Sequence, residues 1–339
     1  MSGAESSGPA GGKPRLALVT GGAGFIGSHL VGALVDSGVG VRILDDLSSG
    51  RRENLADVAG KVEIREGDIR SLPAVQSACE GVDIVFHLAA VGSVPRSMKD
   101  PALTLAVNVG GTANVFTAAR DAGARRIVYA SSSSVYGDSE ALPKREGEEG
   151  RPLSPYALSK VMNEQLADVF ARCYGLEMIG LRYFNVFGPR QLPDGPYAAV
   201  IPRFFKACLQ GESPVIYGDG HQSRDFTFVS DAVRANLLAA SAPASSCSAA
   251  YNVAGGRGVT VNDLAAAVRS LVGGGSVPRY EAPRTGDVPH SRADLARARA
   301  GLGFEPATGF AAGLEKSLAY YTRLVVSRAV NSREEKGAR

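Results

Sequence analysis

Short apolar runs alternate with helical spacing through the first half of the chain. Residues 15–20 (RLALVT) form one run, followed at once by Gly21 and Gly22. From 25 to 35 the apolar positions recur at helical intervals, with Ile26, Leu30, Ala33 and Leu34 on one face. Further strand-like runs lie at 39–45 (VGVRILD), 61–66 (KVEIRE), 83–88 (DIVFHL) and 126–131 (RIVYAS), with helical stretches between them, notably 100–122 and 154–174. Strands separated by helices require right-handed crossovers, which cover a parallel sheet on both faces. The pattern therefore predicts an α/β fold with a doubly wound parallel sheet.

Beyond Leu181 and Arg182 the alternation weakens. Residues 190–197 are rich in proline and glycine and predict a loop, 214–217, 226–229 and 251–253 predict short strands, and 242–248 reads as a Ser/Ala/Pro linker. The expected organisation is a disordered lead-in over 1–14 and a dinucleotide-binding domain over 15–182 with a returning segment near 224–254. A smaller α/β substrate lobe follows over 183–326, then a charged tail over 327–339 that frays. A cleft between two such lobes is a common place for a small-molecule site.

Composition narrows the picture. Apolar residues make up 45 % of the 339 and charged residues 21 %, enough for a sizeable core. Lys and Arg number 37 against 34 Asp and Glu, a net charge of +3 that gives no reason to expect nucleic acid or a membrane surface as partner. No run of about 18 apolar residues predicts a membrane span. The N-terminal stretch lacks the apolar segment of a signal peptide. Cys79, Cys173, Cys208 and Cys247 have neither metal-ligand spacing nor a disulfide pattern, so a reducing, cytoplasmic compartment is expected and no metal. Glycine is abundant, 41 residues, as tight strand-to-helix connections require.

Those glycines cluster where a cofactor would need them. TGGAGFIG (20–27) follows the first strand and opens the first helix. Gly21 suits a tight turn, Gly24 a close approach of pyrophosphate to the backbone, and Gly27 close packing of helix on strand. The N–H groups of Phe25 and Ile26 then open a helix whose N-terminus attracts phosphate. Asp45 closes the second strand about 20 residues on, where a carboxylate accepts from the adenosine ribose and favours NAD over NADP. Leu47 and Ser48 follow it, and Asp68 and Ile69 after the third strand suit the adenine ring.

The YALSK segment (156–160) places the phenol of Tyr156 and the ammonium of Lys160 four residues apart, on one face of a helix. A nearby cation lowers a phenol's pKa, which makes Tyr156 a candidate proton-transfer group. Ser154 and Pro155 make a helix start, as N-cap and first residue. The fifth strand runs into SSSSVYG (131–137), setting hydroxyls at the strand end where ligands bind in this fold class. His87 reads as a satisfied core histidine.

With these motifs in order, the chain from about 15 to 321 resembles the extended short-chain dehydrogenase/reductases of the nucleotide-sugar epimerase group, above all bacterial UDP-N-acetylglucosamine 4-epimerases. The resemblance is carried by TGGAGFIG (20–27), HLAA (87–90), SSSSVYG (131–137), SPYALSK (154–160), LRYFNVFGPRQ (181–191), SRDFTFVSD (223–231) and RTGDVPHS (284–291). It implies a Rossmann-type NAD domain and reversible inversion at the sugar C4 through a transient 4-keto sugar. Tyr156 would act as base, Lys160 would hold the nicotinamide ribose, and Ser132 or Ser133 would hold the sugar O4. It further implies NAD contacts from Leu88, Ala89, Ala90, Asn108 and Tyr183. The UDP-sugar would meet Gly92, Ser93, Asn185, Gln191, Ala199, Val200, Val215, Tyr217, Arg224, Arg284, Asp287 and Ser291. Related 4,6-dehydratases carry Thr-Asp-Glu before Val-Tyr-Gly; Ser132, Ser133 and Ser134 stand here, which removes the acid and base of elimination. Glucuronate decarboxylases, with Glu at the place of Ser134, are disfavoured likewise. In UDP-galactose 4-epimerases a tyrosine occupies the position of Ser291, and a small residue admits a 2-acetamido group. A UDP-glucose or UDP-glucuronate 4-epimerase and a non-catalytic dinucleotide sensor remain alternatives. The helices at 100–122 and 154–174 resemble those of the group's dimeric four-helix bundle.

Overall fold

The computed structural model describes residues 14–195, 198–283 and 288–337. The first half supplies β1 (Leu16–Thr20), α1 (Phe25–Asp36), β2 (Gly40–Asp45), β3 (Glu63–Glu66), α2 (Leu72–Cys79), β4 (Ile84–His87), α3 (Val94–Lys99), α4 (Pro101–Leu105), α5 (Thr112–Asp121), β5 (Arg126–Ser132), α6 (Pro155–Tyr174) and β6 (Glu177–Tyr183). The second half adds β7 (Val186–Phe187), α7 (Val200–Leu209), β8 (Val215–Tyr217), β9 (Ser223–Asp225), β10 (Thr227–Phe228), α8 (Val229–Ser241) and β11 (Ala249–Val253). It ends with β12 (Gly258–Thr260), α9 (Val261–Val272), β13 (Arg279–Glu281), α10 (Ala296–Leu302) and α11 (Phe310–Gly337).

Seven strands form one parallel sheet in the order β11-β6-β5-β4-β1-β2-β3. The order reverses between β1 and β4, which opens the crevice at the strands' C-terminal ends where this fold class binds ligands. Leu30, Val31 and Leu34 of α1 and Ala232 and Ala235 of α8 fill the core on one face. Val75 of α2, Val115 and Phe116 of α5 and Phe170 of α6 fill it on the other. A third core holds the smaller lobe, with Phe204 and Phe205 of α7, Leu264 of α9, and Leu314 and Tyr321 of α11. Phe205 and Tyr321 stack at 4.8 Å between ring centroids.

Two strands of the sheet lie where the hydrophobic pattern fades. β6 carries Gly180 at its centre and Arg182 in a buried position, so its sequence does not read as a core strand. Both exceptions have local causes. A side chain at Gly180 would meet the Tyr129 ring at 2.7 Å, and the Arg182 guanidinium is paired inside. β11 returns late to the sheet edge beside β6.

The stretch expected as one helix over 100–122 is α4 and α5 joined by a π-turn, Ala106–Gly111. Within 101–121 an 18-residue window reaches a mean hydropathy of 1.2, long and apolar enough by composition to cross a membrane, although Thr, Asn and Gly interrupt it and no unbroken apolar run occurs. Here the segment serves as a core helix: it buries Asn108 and Thr112 and packs α5 on α2 and α6. The charged segment expected to fray continues α11 as helix to Gly337, since it holds no proline and several helix-forming residues.

Candidate active site

A cleft of about 1150 Å³ runs along the C-terminal ends of β1, β2, β4, β5 and β6 and under the smaller lobe. At its start, Gly21 adopts φ +70°, and a Cβ there would lie 2.8 Å from the Ala89 nitrogen. A Cβ on Gly27 would lie 2.1 Å from the Gly21 carbonyl oxygen, so that helix and turn touch only because the residue is glycine. Gly24 is the N-cap of α1 and offers no side-chain acceptor, which leaves the first-turn N–H groups for an external anion. This cradle fits a dinucleotide pyrophosphate.

Asp45 ends β2 buried, with one carboxylate oxygen accepting from Ala23 N and the other from Leu47 N, both at 2.9 Å. Burial pushes its pKa up, opposed by these two N–H donors. Ser48, Asp68 and Ile69 line the same end, and Arg70 holds the Asp68 carboxyl below its ordinary range. Leu47 does not reach the cleft. Its backbone takes φ +55° to present its N–H to Asp45, and its side chain packs on the core.

Leu88, Ala89, Ala90, Gly92 and Ser93 form the wall after β4. Asn108 lies behind this wall, fully buried: it accepts from Val91 N at 2.8 Å and donates to Ser159 Oγ at 3.0 Å. It thus fixes the wall and the α6 helix instead of lining the cleft. His87 is satisfied on both ring nitrogens, by Thr20 Oγ1 at 2.7 Å and Thr112 Oγ1 at 2.9 Å. Burial lowers its pKa to about 3, helped by the charge of Lys160, so it stays neutral.

Ser154 caps α6 by accepting from Ala157 N at 3.1 Å, and Pro155 opens the helix, which places Tyr156 in the first turn facing Ser132 at the end of β5. Burial raises the Tyr156 pKa, and the Ser132 hydroxyl beside it pulls it down. The depression expected from Lys160 is absent. The ammonium lies 5.9 Å from the ring centroid and donates to the Ala130 carbonyl at 2.8 Å, so burial dominates the phenol. Lys160 is itself buried, which lowers its pKa to about 8 against the pull of Glu164.

A network that the motifs do not reveal backs this pair. Glu164, one turn beyond Lys160, accepts from Ser131 Oγ at 2.5 Å and from both arms of Arg182 at 2.9 and 2.7 Å. Arg182 also donates to Glu149 and, at 3.1 Å, to the Tyr136 hydroxyl, which in turn donates to Asn252 at 2.7 Å. The end of β5 is therefore held from α6, β6 and β11 together.

At the far end, Ser133, Tyr183, Asn185, Gln191, Arg224 and Ser291 line the cleft with Ser134 of the serine run and with Lys144, which sequence reasoning had not placed there. Asn185 takes φ +35° and donates to the Asp225 carbonyl at 3.0 Å. Ala199, Val200, Val215 and Tyr217 stand outside the lining: the first two begin α7 and the others lie on β8, paired with β13. Arg284 and Asp287 lie outside the described residues.

A family model described as NAD dependent epimerase/dehydratase family matches residues 17–254. A UDP-glucose 4-epimerase of Mycolicibacterium smegmatis is 41 % identical over 308 residues, covering 90 % of this chain and 97 % of the relative. Among solved structures, a UDP-N-acetylglucosamine 4-epimerase from Methanobrevibacter ruminantium in complex with UDP-N-acetylmuramic acid is 39 % identical, with TM-score 0.88 over 92 % of this chain and 99 % of that one. A UDP-glucose 4-epimerase of Thermus thermophilus in complex with NAD is 36 % identical, with TM-score 0.83 over 90 % of this chain and 98 % of that one.

Proposed function

Because the chain belongs to the NAD-dependent epimerase/dehydratase family, with NAD as its cofactor, we propose that it inverts C4 of UDP-N-acetylhexosamines, interconverting UDP-GlcNAc and UDP-GalNAc. The observation that carries the substrate choice is Ser291, a small side chain on the wall of the cleft's far end, which leaves room for a 2-acetamido group. UDP-glucose is the second reading, favoured by the names of the M. smegmatis and T. thermophilus relatives.

The turn at Gly21 and the N-terminus of α1 hold the NAD pyrophosphate, and Asp45 its adenosine ribose. NAD, when bound, supplies a hydride acceptor and, as an oxidised ring, a positive charge. The chain's own part is the proton. As the phenolate, a form that the positive charge supplied by bound NAD would favour against the burial that raises its pKa, Tyr156 takes the proton of the sugar 4-OH and returns it after inversion, while Ser132 holds that oxygen beside the ring. Lys160 keeps a buried positive charge near the deprotonating phenol and holds the end of β5 through Ala130. The Ser131–Glu164–Arg182 network keeps the hydroxyl strand at a fixed distance from α6. Arg224 and Asn185 serve the diphosphate end, where a guanidinium fork suits phosphate. The unpaired cysteines fit a cytoplasmic setting.

We further propose a homodimer that pairs through α6. Leu158, Met162 and Val169 are exposed at spacings of four and seven, a single apolar stripe. Met162→Glu is expected to halve the mass seen by light scattering; an unchanged mass would remove this stripe as the interface.

The substrate reading is tested by NMR of the C4 configuration with UDP-GlcNAc, UDP-Glc and UDP-GlcA. Turnover of UDP-GlcNAc, suppressed in Ser291→Tyr more than turnover of UDP-Glc, supports it. Equal suppression of both sugars defeats the gate, and NAD binding without turnover of any sugar favours a sensor.

A further inference from the structure

We propose that Lys144 determines which hexose the cleft accepts: its ε-ammonium donates to an acceptor oxygen on a ring substituent of the sugar, either an acetamido carbonyl or a carboxylate. The proposal rests on the UDP-sugar reading of the site and names the chemistry recognised at its far end.

Lys144 belongs to no motif, and long-range pairing brings it to the cleft. Its N–H donates to the Arg292 carbonyl at 2.7 Å, and its own carbonyl accepts from Asp294 N at 2.9 Å, a parallel bridge opposite Ala293. Bridged residues point to the same side, and residues two apart in extended chain share a side. Lys144 therefore stands on the side of Ser291, and both line the cleft. Ser291 is held in turn by its N–H to the Ser223 carbonyl at 3.0 Å. Lys144 thus stands beside the position that sets the room for a sugar substituent.

Charge pairing separates Lys144 from the buried arginines. Arg42, Arg126 and Arg182 each meet a carboxylate, Glu63, Glu177 and Glu164 respectively, and none of the three lines the cleft. The buried lysines, Lys144 and Lys160, both line it, and among the described residues neither forms an ion pair with a carboxylate. Lys144 is 4 % exposed, and the hydrogen bond of its Nζ goes to the Ser139 carbonyl. The nearby acids are engaged elsewhere: Arg145 holds Asp294 and Glu148, and Glu146 accepts from Asn252 N. Glu140 alone acts against the burial that lowers the Lys144 pKa. A buried ammonium without a carboxylate is costly, and it has three donors to satisfy. An oxygen acceptor on the bound sugar removes part of that cost, whereas a sugar without one leaves it standing. For Lys160 the reaction itself accounts for the unpaired charge; for Lys144 the sugar substituent does.

The test compares wild type, Lys144→Met and Lys144→Arg, each loaded with NAD, with UDP-GlcNAc, UDP-GlcA and UDP-Glc. Kd is read by calorimetry and KM and kcat by NMR, with near-ultraviolet circular dichroism to check folding. Loss of a charged hydrogen bond predicts a rise in Kd and KM of about tenfold or more for the recognised sugar in the Met variant. UDP-Glc should change less than twofold, kcat should stay close to wild type, and Arg should restore most of the affinity. A selective loss with UDP-GlcNAc identifies the acetamido carbonyl, and one with UDP-GlcA the carboxylate. Equal losses for all three sugars, or no loss for any, overturn the proposal and leave the UDP-sugar reading intact. Failure of the wild type to bind any of the three overturns both.

Discussion

Arg182 ties α6 to the sheet, and its removal has a calculable cost. Its side chain is 6 % exposed and meets Glu164, 17 % exposed, and Glu149, 28 % exposed. Removing one partner of a buried ion pair costs about 3–5 kcal/mol, because the remaining charge stays desolvated. Water reaches both carboxylates to a degree, so Arg182→Met is expected to cost about 2–4 kcal/mol. Glu164→Gln retains an acceptor for Ser131 but leaves Arg182 with Glu149, and should cost about 1–3 kcal/mol. The double variant removes both charges and should cost less than the sum by about 1–2 kcal/mol, the mark of groups in one network. Urea denaturation of the four proteins at one fixed NAD concentration, followed by far-ultraviolet circular dichroism, gives the cycle. Costs that add within about 0.5 kcal/mol would refute the coupling of Arg182 to Glu164.

Two further outcomes follow from the same geometry. Gly27→Ala places a methyl 2.1 Å from the Gly21 carbonyl oxygen, so the turn must shift; NAD affinity measured by calorimetry should fall more than tenfold, and unchanged affinity would contradict the cradle. His87 is buried neutral with its pKa at about 3 against an ordinary 6.5, so the unfolded chain binds more protons as pH falls between these values. Wild type should therefore lose more stability from pH 6.5 towards pH 4 than His87→Gln does, and parallel curves from urea titrations would exclude the histidine as the source.

The sheet was legible where apolar runs are unbroken and separated by helical spacing, as in β1, β2, β4 and β5. β6 escaped because Gly180 and Arg182 interrupt its pattern for reasons that lie on other elements, the Tyr129 ring and two carboxylates distant in sequence. Likewise the glycine turn and the Tyr156/Lys160 pair were legible because each is a local arrangement on one element. The sign of the Tyr156 shift was not, since burial depends on what packs over the ring and the direction of the Lys160 ammonium depends on the Ala130 carbonyl. Lys144 reaches the cleft only by pairing with a segment nearly 150 residues away, a relation no spacing rule contains. Asn108 shows the converse: a residue near a cofactor site by resemblance supports the wall from behind.

The proton-transfer role of Tyr156 is tested most directly by Tyr156→Phe. With UDP-GlcNAc and saturating NAD, NMR of the C4 configuration should show kcat lowered by about 10²–10⁴-fold, since only the hydroxyl is lost. NAD affinity should stay close to wild type. A kcat near that of the wild type would contradict the account, because no other group beside Ser132 would then be needed to move the proton.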